Sequence, residues 1–112
     1  MAYTLDLSAE LIPSTSIQTL TDANKSYRLY LPRNCGTIAI QPATTAIKVS
    51  YNGVEGSTLT AYHSQPAGSM VEWPLFPGFN KRTVGASIYV ETASAGATVA
   101  VSLLPRDGSY PA

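Results

Sequence analysis

The chain has 112 residues, of which 45% are hydrophobic and 12% charged, with seven basic against seven acidic side chains. At this length a single domain can bury a core, the apolar share is too high for a disordered chain, and no apolar run reaches the ~18 residues of a membrane span. The lone Cys35 excludes an intrachain disulfide, and with the lone His63 it leaves a clustered zinc site almost no ligands.

Residues 1–13 show no basic stretch followed by an apolar one, so no secretory signal is expected. Within them Tyr3, Leu5 and Leu7 alternate with Thr4, Asp6 and Ser8. That pattern reads as the first strand of the domain or as an arm laid on a neighbour's sheet edge. A helical turn is expected only near residues 8–11, where Pro13 cuts it short. Residues 17–20 make a second short strand before the turn-forming residues 21–24. Residues 26–31 follow, with Tyr27, Leu29 and Leu31 on one side, Arg28 and Tyr30 on the other, and Pro32 as the stop. In residues 37–41 Ile38 and Ile40 face one way, and residues 42–45 turn the chain into residues 47–51, which is a hairpin signal. Asn52 and Gly53 close that strand as residues suited to positive φ, and residues 58–63 form the next candidate after Gly56.

Residues 70–79 crowd Trp73, Leu75, Phe76 and Phe79 around Pro74, Pro77 and Gly78. Proline lacks an amide hydrogen and biases its predecessor to extended geometry, so this stretch must be a kinked connection or an edge strand. Two readings stay open: Trp73 and Phe76 cap the open end of a sandwich, or they anchor a contact with another subunit. Residues 84–92 and 98–104 are longer strands whose alternation matches as a hairpin closed by residues 93–97. About seven to nine strands of this spacing predict an all-β fold, a single antiparallel β-sandwich or jelly roll over residues 14–105. Residues 106–112 form a tail without periodicity, in which Tyr110 could order against a partner.

An average soluble domain carries roughly a quarter of its residues as charges, about twice the share here. With formal net charge +0, little repulsion separates copies, and self-association is expected. The seven basic residues are scattered, only Lys81 and Arg82 adjoin, and nucleic-acid binding is not expected. Catalysis has no evident machinery: His63 lacks a nucleophile-elbow setting, and Cys35 has only Arg33 nearby to lower its pKa. The carboxylates Asp6, Glu10, Asp22, Glu55, Glu72, Glu91 and Asp107 are dispersed, and no phosphate, dinucleotide or calcium loop is present. Asn24-Lys25-Ser26 fits a glycosylation sequon by chance alone if the chain is not secreted. No enzyme activity, metal or cofactor is therefore expected.

The turn PLFPG, the strand ending IYVET and the final strand VAVSLLP, carried by residues 73–78, 86–92 and 97–105, resemble the small β-rich virion proteins of tailed bacteriophages. The resemblance covers mainly the C-terminal half. It implies a virion location after assembly in the host cytoplasm. It also implies a capsid decoration or cement protein, in trimers or other oligomers, that clamps neighbouring major capsid subunits. No catalytic residue is carried over. The interface candidates are Trp73, Leu75, Phe76, Phe79, Tyr3, Leu5 and Tyr110. Alternatives are a head fibre, tail or baseplate accessory protein, and a carbohydrate-binding module that stacks sugar on Trp73 and tyrosines.

Overall fold

The computed structural model describes residues 3–32, 35–75 and 87–105. The chain is all-β, and the described residues form nine strands in two sheets packed as a sandwich. In order these are β1 (Thr4–Asp6), β2 (Ser14–Leu20), β3 (Tyr27–Tyr30), β4 (Cys35–Pro42) and β5 (Ile47–Ser50), then β6 (His63–Gln65), β7 (Val71–Pro74), β8 (Ser87–Thr92) and β9 (Ala97–Pro105). Sheet 1 has the order β1-β3-β8-β5-β6, and sheet 2 the order β2-β9-β4-β7.

The pairings are nested. β5 pairs with β6, β4 with β7, β3 with β8 and β2 with β9, all antiparallel. This is one long hairpin rolled so that successive layers fall alternately in the two sheets, the jelly-roll arrangement. β1 joins the β3 edge in parallel, with Leu5 opposite Leu29. Thus residues 4–6, expected as a strand or an arm, pair with their own sheet.

Alternation places the core where the sequence suggests. Leu29, Ile88, Val90, Ile47 and Val49 from sheet 1 meet Ile38, Ile40, Val99, Val101 and Leu103 from sheet 2, all buried. Each such side chain contributes on the order of 1.5–3 kcal/mol of transfer free energy.

Two expected hairpins do not form. Residues 42–45 lead from β4 in sheet 2 to β5 in sheet 1, and residues 93–96 lead from β8 in sheet 1 to β9 in sheet 2. Alternation fixes which face of a strand is buried and leaves its partner open, so a short turn can arch over the core as easily as double back. Hydrogen bonds hold the second arch: Gly96 N–H donates to Leu20 O at 2.8 Å, and Asn24 N–H donates to Thr92 O at 2.7 Å. Both donors lie at positive φ, 81° and 60°.

Residues 58–62 are not strand, because this stretch lies across the outer face of sheet 1. Ser26 N–H donates to Ser57 O and Gly56 N–H to Ser26 O, both at 2.9 Å, in place of a ladder. Gly53 serves close approach and not positive φ: a Cβ there would stand 2.9 Å from Leu59 Cδ2 and from the Tyr89 ring. Near residues 8–11 the chain makes a turn and no helix, with Glu10 N–H on Leu7 O. The start of the strand expected over 84–92 lies outside the described residues, as does the tail 106–112.

Candidate functional site

Residues opposite one another in a sheet share a face. On the outer face of sheet 1, Thr4, Arg28, Tyr89 and Ser50 form one row, and Glu91, Lys48 and Ser64 another. This face is charged, and the chain covers part of it. Leu59 N–H donates to Glu91 Oε1 at 2.6 Å, burying the carboxylate to 1% exposure. Lys48 Nζ stands 3.7 Å from Glu91 Oε2 and 4.6 Å from the Tyr62 ring centre. The covering stretch is fastened further by Thr4 Oγ1 donating to the Glu55 carboxylate at 2.8 Å and by Thr58 Oγ1 donating to Asn24 O.

Sheet 2 is the opposite case. Its outer rows read Thr15, Ser102, Ala39 and Glu72, then Ile17, Ala100 and Gln41, then Thr19 and Thr98. Thr15 Oγ1 and Ser102 Oγ lie 2.9 Å apart, as same-face neighbours should. Among these residues the single charge is Glu72, on the edge strand β7. Ile17 stands out at 65% exposure, and around it the face is built of hydroxyls and methyl groups. Three strands of 7 to 9 residues, about 4.8 Å apart, span a patch of roughly 15 by 25 Å, which the 4-residue β7 extends at one end. That footprint is about half of one side of a standard protein contact, of about 800 Å².

The remaining side of the sandwich, between β6 and β7, is closed by Trp73. Its register opposite Ile38 turns the indole inward, it is 9% exposed, and Nε1 donates to Gln65 Oε1 at 3.3 Å. Gln65 in turn donates to Ile40 O and Ser69 O. The His63 ring tilts against the indole at 5.4 Å, and the Tyr51 ring meets it edge-on at 6.0 Å. Leu75, 5% exposed, belongs to the same core. β7 is the sheet edge that the proline spacing calls for.

Of the interface candidates, Trp73 and Leu75 therefore spend their surface inside the chain, while Tyr3 and Leu5 are partly buried against the core. Tyr3 packs edge-on to Tyr27 at 5.2 Å and donates its hydroxyl to Asp22 at 2.6 Å. That hydrogen bond raises the Tyr3 pKa, and burial raises that of Tyr51. Asp6 is lowered by the hydroxyl and backbone N–H of Ser8. Phe76, Phe79 and Tyr110 lie outside the described residues. Cys35 is buried. Among the described residues no three His, Cys, Asp or Glu side chains gather as a metal site. The outer face of sheet 2 was not among the sequence candidates, since it is assembled from strands far apart in the chain.

No family model, curated protein or solved structure matches the chain.

Proposed function

We propose that the chain is a non-enzymatic structural protein of a virion, a capsid decoration or cement protein that works as an oligomer. The observation that supports this most is the contrast between the two sheets. The charged face of sheet 1 is partly covered by the chain's own loop, whereas among the described residues the outer face of sheet 2 carries no charge but Glu72 at its edge. A neutral face gains little from a charged partner, and a second copy supplies one of matching size and polarity. Small side chains at its centre, Ala39, Ala100 and Ser102, let two such sheets approach to about 10 Å. A face meeting its own copy does so about a two-fold axis, so the contact builds pairs. Binding to assembled shell and not to separated subunits would then stabilise the shell by mass action. Antibody labelling in electron micrographs of particles from the virus that encodes the chain tests the reading. Label over the capsid is the expected result; label on the tail alone, or none, overturns it.

A further inference from the structure

At the base of the loop over sheet 1 lies an open concavity lined by Ser50, Tyr51, Asn52, Ala61, Tyr62 and His63. It stands apart from the outer face of sheet 2. Two tyrosines there are partly exposed, 36% at Tyr51 and 43% at Tyr62. Each ring is held by contacts of its own. Tyr51 leans edge-on against Trp73 and donates its hydroxyl to Pro74 O at 2.8 Å. Tyr62 lies under the Lys48 ammonium, and His63 lies against the indole. Rings fixed before binding lose little freedom when a ligand arrives.

The polar groups beside them are unspent. The Ser50 hydroxyl and the Asn52 backbone bond to each other, which fixes the turn and leaves the Asn52 side-chain amide without a hydrogen bond among the described residues. The same holds for the ring nitrogens of His63 among the described residues. Among the described residues no carboxylate lines the concavity, and the nearby Lys48 is engaged by Glu91 and Tyr62. A ligand suited to this surface is neutral, offers a C–H face to an aromatic ring, and offers hydroxyls to an amide and an imidazole.

We propose that this concavity is a binding site for a neutral saccharide, stacked on Tyr62 and Tyr51 and hydrogen-bonded by Asn52 and His63. A proline-rich peptide also stacks on tyrosines. It makes poorer use of donors and acceptors set beside the rings, and the saccharide is the better fit.

The test is a glycan array probed with the full chain, followed by a titration with the best neutral oligosaccharide monitored by NMR chemical shifts. A polyproline decamer and a sialylated trisaccharide serve as comparison ligands. Binding of a neutral glycan is expected, with shifts concentrated at Tyr51, Asn52, Tyr62 and His63. Tyr62→Ala should weaken it roughly ten-fold, the scale of one lost stacking contact. Asn52→Ala, which removes an amide with no structural partner, should weaken it several-fold and guards against misfolding of the first variant. Ile17→Asp on sheet 2 should leave it unchanged, so this site and the proposed assembly face fail or stand separately. Absence of any neutral glycan binding, binding of the polyproline or sialylated probe alone, or undiminished binding by both concavity variants overturns the assignment.

Discussion

The backbone N–H of Leu59 donates to the carboxylate of Glu91 at 2.6 Å, and through that bond a loop is fastened over the outer face of a sheet. The carboxylate is 1% exposed, and its second oxygen has Lys48 Nζ at 3.7 Å. Removing it leaves a buried amide donor unsatisfied and a half-exposed ammonium unpaired. Glu91→Ala should lower unfolding free energy by roughly 2–3 kcal/mol, and Glu91→Gln, which keeps an acceptor for Leu59, by less. Urea titration of both variants checks this. Equal losses would mean that the amide bond is not what holds the loop.

Trp73 is core, and its truncation should act on folding. Trp73→Ala opens a cavity beside Gln65 and removes the surface on which Tyr51 and His63 rest, a loss of about 3–5 kcal/mol. Denaturant unfolding measures it. A loss under about 1 kcal/mol would place the indole outside the core.

Ile17→Asp sets a charge on the outer face of sheet 2, on a side chain that is 65% exposed. Its melting temperature should stay within about 3 °C of the parent, since exposed substitutions change stability by about 0.5 kcal/mol or less. With sheet 2 paired as proposed, self-association should fall at least ten-fold, because that contact would set a desolvated charge against its own image. Sedimentation velocity over a concentration series reads this directly. A parent chain that stays monomeric, or an Ile17→Asp variant that pairs as well as the parent, removes this face from the assembly.

Alkaline pH should destabilise the fold through two tyrosines. Both Tyr3 and Tyr51 have folded-state pKa values raised above the ordinary 10.0. Their neutral forms are therefore favoured in the folded chain. The stability this provides is complete below 10.0 and is lost as pH rises through the folded values. Melting temperature measured across that window should fall less steeply for Tyr3→Phe combined with Tyr51→Phe than for the parent. Parallel slopes would show that neither hydroxyl is linked to folding.

Much of the fold was legible, and the limit lies at a definite point. Buried and exposed positions in β3, β4, β8 and β9 follow from alternation, and the edge character of β7 follows from Pro74 and Pro77. Strand partners did not follow, because the turns at residues 42–45 and 93–96 carry nothing that separates an arch from a hairpin. The choice between cap and anchor for Trp73 stayed open for a related reason: only its pairing with Ile38 shows that the indole points inward. The uncharged face was half visible. Residues 11–21, 34–47 and 92–105 hold no Asp, Glu, Lys or Arg, and they contain β2, β4 and β9. Seeing three neutral runs in the sequence is easy; knowing that they lie side by side requires the topology. Tyr51, Tyr62 and His63 likewise come together only through the antiparallel pairing of Ile47–Ser50 with His63–Gln65.

β9 comes last in sequence among the described strands and sits inside its sheet, between β2 and β4. On the ribosome β2 emerges early and has no ladder to join, and its Ser14 waits for Leu103. Closure over such separations is slow, and during the delay unpaired edges are open to the wrong neighbour. The final strand therefore closes sheet 2: until β9 has been synthesised, β2 and β4 both lack the ladder partner that lies between them.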